Sequence, residues 1–166
     1  MFRVRAEFRD DLVIEAETGR VRAFFADLQN FVRYMPGVAS ISEVEGNAAR
    51  WNVRADVALV GRMQGEFALI LRDDSPLRIE WGPTEDEKEN LLRYAISFEE
   101  EAASKTHVHF ALRVELRRQR ASELHLMAGL VGERRISEGI QEDVDLMVRT
   151  FLKRARAILE RMNAER

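Results

Sequence analysis

The chain has 166 residues, 46% of them hydrophobic and 33% charged, with a formal net charge of −3. That length suits one domain with a full core, since about 70% of the unfolded surface can be buried at this size, and the charge argues against a nucleic-acid partner held by phosphate neutralisation. With no cysteine, disulfides, thiolate catalysis and cysteine-ligated metals are excluded.

The N-terminal MFRVRAEF alternates apolar and charged residues and lacks the apolar core of a secretion signal. Phe2, Val4, Ala6, Phe8, Leu12, Ile14 and Ala16 share one face, interrupted at Asp10. This predicts one long strand, or two halves joined at Asp10-Asp11. Thr18 is the expected N-cap of a helix in which Val21, Phe24, Phe25 and Leu28 fall at helical spacing. A second short helix carries Phe31 to Met35 and stops at Pro36-Gly37.

Six further strands follow. Val38 to Glu45 is the least regular, because its apolar phase slips. Trp51, Val53, Ala55, Val57 and Leu59 point one way, against Arg50, Asn52, Arg54 and Asp56. After Gly61 the inward row is Met63, Gly65, Phe67, Leu69 and Leu71. Then come Leu77, Ile79 and Trp81; Leu92, Tyr94, Ile96 and Phe98; and Val108, Phe110, Leu112, Val114 and Leu116. Such closely spaced strands predict an antiparallel meander with one buried face.

From Ile136 to Met162 the apolar spacing becomes 3 or 4, which predicts an amphipathic helix of about 30 residues, hence about 45 Å. The preceding SELHLMAGLVG reads as a short helix or a lid-like loop ending at Gly132. Its apolar run, Leu126 to Val131, is far below the roughly 20 residues of a membrane span. The expectation is a single cytoplasmic domain over residues 1–166. Its class is α+β: a curved antiparallel sheet of about seven strands wrapped around a long C-terminal helix, with two short helices between the first two strands.

The segment VRAFFADLQNFVRYMPGVASISEVEGN contains the turn Ala26-Asp27-Leu28, then Phe31 and Tyr34, then the break Pro36-Gly37-Val38. With the strand pair ARWNVRADVALVGRMQGEFALIL, it resembles the START-like helix-grip (SRPBCC) superfamily, from Phe2 to about Met162. Within it the chain is most similar to the polyketide cyclase-like branch and to the branch typified by the G-subunit of carbon monoxide dehydrogenase. It is also similar to the ubiquinone-binding START-like branch. The resemblance implies a hydrophobic cavity between sheet and C-terminal helix. The expected lining residues are Phe31, Tyr34, Met35, Trp51, Val53, Val57, Phe67, Trp81, Tyr94, Ile96, Phe110, Val144, Met147 and Phe151. Phe31, Tyr34 and Met35 are placed at the open end, as a plug or as a gate.

His107 and His109, at i and i+2 on a strand, could chelate a metal. The inward phase of Val108, Phe110 and Leu112 turns both outward, however, so they read as part of a solvated face and no metal is expected. His125 reads as a surface or lid residue. Polar groups that could face the cavity are few: Tyr94, Trp51, Trp81, Thr106 at its mouth end, Ser137, Asp143 and Asp10. Asp143 with Tyr94 could form an acid–base pair for cyclisation or dehydration. Alternatively, Asp143 meets solvent and Tyr94 belongs to the core. No nucleophile, phosphate-binding loop or cofactor motif stands out.

The leading functional expectation is a non-enzymatic binder or carrier of a hydrophobic small molecule such as a lipid, quinone or polyketide. A polyketide cyclase/dehydratase-type enzyme and an accessory or assembly factor for a multi-subunit oxidoreductase stay open beside it. The basic cluster Arg117–Arg120 with Arg134 and Arg135 reads as a solvated end that could meet an anionic membrane or an acidic protein. Oligomeric state is open.

Overall fold

A computed structural model describes residues 1–165. In chain order the elements are β1 (Phe2–Ile14), α1 (Thr18–Ala26), α2 (Leu28–Tyr34), β2 (Val38–Val44), β3 (Ala48–Val57), β4 (Gly61–Ser75), β5 (Arg78–Pro83), β6 (Asn90–Ala102), β7 (Lys105–Arg118), α3 (Ala121–Leu124), α4 (Ala128–Val131) and α5 (Glu133–Ala164). The strands form one antiparallel sheet in the order β1-β7-β6-β5-β4-β3-β2. This is the expected α+β helix-grip architecture: a meander whose first strand returns to pair with its last.

The curvature has local causes. The register shifts between Val38 and Ser40, between Leu71 and Asp73, and between Glu100 and Ala102. An extra residue on one strand bends it and increases its twist. The slip in apolar phase along β2 is one of these shifts.

Asp27 separates the two short helices. It ends α1, and its side chain accepts from the Gln29 backbone N–H to start α2. Thr18 is not a cap: Glu17 holds that position, and the Thr18 hydroxyl instead meets that of Thr106, 2.9 Å away. At the far end of α2 the chain reverses through Gly37, at φ 89°. A Cβ there would lie 2.5 Å from the Arg54 carbonyl oxygen and 2.8 Å from the Met147 methyl. Both the backbone conformation and the space therefore demand glycine.

The helix α5 closes the open edge of β1. Arg3 N–H donates to Glu133 at 2.8 Å, Arg5 N–H to Ser137 at 3.1 Å and Glu7 N–H to Gln141 at 2.9 Å. Gln141 Nε2 returns a bond to the Glu7 carbonyl at 2.6 Å. The match is geometric. Four helical residues advance about 6 Å, close to the roughly 6.7 Å of two strand residues. The pairing resumes at the other end, where Arg156 donates to the Val13 carbonyl and Glu15 N–H donates to Glu160. Ser137 thus serves the strand edge rather than facing the interior of the grip. An edge strand's free backbone groups are thereby satisfied without another strand.

Gln141→Ala should lower the unfolding free energy by about 1 kcal/mol, the worth of an ordinary hydrogen bond. Glu142→Ala, its exposed neighbour, should stay within about 0.5 kcal/mol of wild type in the same urea titration.

Candidate functional site

The space between sheet and helix is filled at one end and open at the other. At the filled end α1 and α2 insert Phe24, Phe25 and Phe31 against Phe151 of α5. The Phe31 and Phe151 rings stack at 4.6 Å. Phe31 also meets Trp51 at 5.2 Å and Tyr94 at 5.4 Å, and Tyr94 stacks on Phe110 at 6.3 Å. These rings interlock with offset and edge-on contacts, the arrangements that aromatic quadrupoles favour.

Beyond this cluster lies a cavity of about 200 Å³. Its floor is Trp51, Val53 and Ala55 of β3, Met63, Gly65 and Phe67 of β4, Leu92 of β6, and Leu112, Val114 and Leu116 of β7. Its roof is Ile140, Val144, Met147 and Val148 of α5. Met35 and Val38 close one side, at the Gly37 reversal, and Leu124 and His125 close another. Polar side chains come from Arg62, Gln64, Asn90, Arg118 and His125. Arg118 donates to Asn90 Oδ1 at 2.8 Å and to the Arg117 carbonyl at 2.7 Å, and is mostly buried.

Of the expected lining residues, Met35, Trp51, Val53, Phe67, Val144 and Met147 meet in this cavity. Phe31, Tyr94, Ile96, Phe110 and Phe151 do not line it. They are at most 2% exposed and belong to the packed core. Val57 is buried where α5 passes closest to β3: a Cβ on Gly139 would lie 2.8 Å from its Cγ1. Trp81 sits in the core on β5, and Tyr34 stacks on Phe24 at 5.9 Å. The three residues before the reversal therefore divide: Phe31 plugs the core, Tyr34 flanks it, and Met35 lines the cavity.

Thr106 lies at the opposite end from the mouth. It is fully buried and donates to the Ala16 carbonyl at 2.8 Å. The residue at the open end of that row is Arg118. Its signal is in the sequence, since Val114, Leu116 and Arg118 keep one phase, but the run RRQR suggests a solvated end. Asp10 is exposed on β1.

Four buried side-chain donors lack partners among the described residues: Arg20 Nη1, Trp51 Nε1, the Tyr94 hydroxyl and Arg117 Nε. Leaving a buried polar group unpaired costs about 1–3 kcal/mol. Trp51 borders the cavity through its ring, while its Nε1 is buried away from that space. Burial raises the Tyr94 phenol well above its ordinary value, which keeps it protonated at neutral pH. Asp143 is half-buried beside the Asp56 backbone. Burial, with a smaller contribution from the Asp56 charge, raises its carboxyl above the ordinary value, although a hydrogen bond from the Asp56 backbone opposes this. Neither residue lines the cavity, so the geometry does not present them as an acid–base pair. His125 does line it, and its Nδ1 accepts from the Met127 N–H at 3.1 Å. On the outer face, His107 and His109 point away from the cavity, as their phase requires.

No protein-family model and no curated protein sequence matches the chain. Solved structures do. The Zhui aromatase/cyclase from Streptomyces sp. R1128 aligns over 95% of this chain and 94% of its own, with a TM-score of 0.69 and 14% identity. A START superfamily protein from Mycobacterium smegmatis aligns over 94% and 98%, with a TM-score of 0.61 and 10% identity. TTHA0849 from Thermus thermophilus aligns over 92% and 98%, with a TM-score of 0.59 and 22% identity. The fold is the START-like helix-grip. At these identities the likeness establishes the fold and leaves function to the site. No helix among the described residues is long and apolar enough to cross a membrane.

Asp143 yields a pH test. Its folded-state value lies above the unfolded one, so the folded chain holds the proton more tightly, and stability falls as pH rises through the two values. Asp143→Asn should therefore stabilise the protein at pH 7. The advantage should shrink as pH falls through the raised folded value and be gone below about 4, the unfolded carboxyl value. Thermal melts across pH 3 to 7 (about the range that brackets the carboxyl) read this directly.

Proposed function

We propose that the protein binds a small, mainly apolar molecule whose oxygen-bearing or anionic end sits at Arg118 and Asn90. The observation that carries the reading is the cavity itself: an apolar floor and roof, with an ordered guanidinium among its few polar groups. Volume narrows the ligand class. About 150 Å³ of apolar space suffices for benzene, so about 200 Å³ suits one or two rings or a short acyl chain. A two-chain lipid or a tetracyclic polyketide exceeds this space and would need the α3–α4 segment to move.

The chemistry of each part follows. Apolar contact supplies the affinity, at roughly 25 cal/mol per Å² removed from water. Arg118 supplies selectivity, because a charge-assisted hydrogen bond to an anion is worth about 1.5–3 kcal/mol. The likeness of the fold to an aromatase/cyclase agrees with a ring-shaped ligand. Binding or carriage needs nothing beyond these groups.

Naphthalene and 2-naphthoate distinguish the parts. Both should alter tryptophan fluorescence, and the change should vanish in Trp51→Phe but persist in Trp81→Phe. Arg118→Ala should weaken 2-naphthoate about tenfold or more while leaving naphthalene within about twofold. Equal losses for both ligands, or no saturable response to either, would remove the proposal.

A further inference from the structure

We propose that Asp11, His107 and His109 form a binding site for one divalent transition ion of the Zn²⁺ type, on the face of the sheet opposite the cavity. The site is independent of the cavity and uses none of its residues.

Alternation along β7 places His107 and His109 on the same outer face, with ring centroids 4.3 Å apart. Two histidines alone make a weak, two-toothed chelate. The third ligand arrives from β1, where Asp11 lies directly opposite His109 in the strand register. Asp11 Oδ1 is 2.5 Å from His109 Nδ1. One donor atom from each of the three residues falls within 4.8 Å of the others. A tetrahedral ion with bonds of about 2.0–2.1 Å separates its ligand atoms by about 3.3 Å. The Asp11–His109 contact must open by somewhat less than about 1 Å, and His107 must swing inward. Both movements need only rotations of side chains at the solvent face. In the first, the ion replaces the proton that the carboxylate and the imidazole share.

The neighbouring strand supplies orientation. Glu99 Oε2 lies 3.6 Å from His109 Nε2, and Glu101 Oε1 lies 3.7 Å from His107 Nδ1. Each imidazole thus turns one nitrogen toward a glutamate of β6 and keeps the other for the ion. Carboxylates behind ligating histidines fix the tautomer and raise basicity. β1, β7 and β6 are hydrogen-bonded in sequence, so the ligands stand on a rigid platform. Two imidazoles and one carboxylate favour Zn²⁺, Ni²⁺ or Cu²⁺ over Mg²⁺ or Ca²⁺. The fourth position faces solvent and takes water.

The test uses the full chain without a histidine tag, stripped with EDTA and titrated with Zn²⁺ by calorimetry. One ion per chain should bind. His107→Gln, His109→Gln and Asp11→Asn should each weaken binding about tenfold or more, while Glu66→Gln, exposed on β4 of the same sheet, should leave it unchanged. Mg²⁺ should not compete. In the unmodified chain, Zn²⁺ should shift the imidazole resonances of His107 and His109 and spare those of His125, a readout that needs no variant. Absence of saturable binding would overturn the site. So would affinity that survives the His107→Gln/His109→Gln double replacement, or shifts confined to His125.

Discussion

The height of α5 above the sheet decides whether this fold has a cavity, and two contacts set that height. At one side the Phe151 ring rests on Phe31, 4.6 Å away. At the other, Gly139 lets the helix backbone settle against Val57, with no room for a Cβ. Between these supports the helix spans about 18 Å, and its underside carries Ile140, Val144, Met147 and Val148 over open space. Laterally the helix is fixed by β1. From Glu133 to Glu160 it is about 40 Å long, as is the strand from Arg3 to Glu15, so bonds form at both ends. A helix held this way cannot sink to fill the gap beneath it.

The position of the cavity follows from what fills the other end. α1 and α2 bring Phe24, Phe25 and Phe31 under the C-terminal half of α5. Thr106 and Ala16 seal that end with a buried hydrogen bond. The opposite end receives only the single turns α3 and α4, where Leu126 between them and Leu130 within α4 are largely exposed. Few contacts hold this segment, and it lies beside the polar mouth formed by Arg118 and Asn90. The filled end and the open end thus differ in kind: aromatic packing supplies rigidity at one, and the other places an ordered cation beside an apolar space.

Period-two and period-3.6 patterns made every strand but β2, whose phase slips at its register shift, and the long helix legible, because burial of one face imposes those periods. The same patterns say which way a side chain points but not how far the opposing layer stands off. Tyr94, Phe110 and Val53 share an inward phase, yet only Val53 meets the cavity, because aromatic rings occupy the space above the other two. The direction of the mouth was likewise invisible. It depends on where α1 and α2 pack, and that reverses the roles expected for Thr106 and Arg118. Ser137 looked apolar-facing because α5 lies along a sheet edge, where one flank of its stripe meets backbone instead of side chains. Asp11 and His109 stand far apart in sequence, and only the β1–β7 register joins them.

The central claim is that the space beneath α5 receives a small apolar molecule. The six methionines provide a direct reading of it. Met35, Met63 and Met147 line the cavity, whereas Met1, Met127 and Met162 do not. With ¹³C-labelled methionine methyl groups and 2-naphthol as the probe, saturable shifts should appear at Met35, Met63 and Met147, with Met1 and Met162 unmoved. Shifts confined to the exposed methionines, or none at saturating probe, would contradict the account.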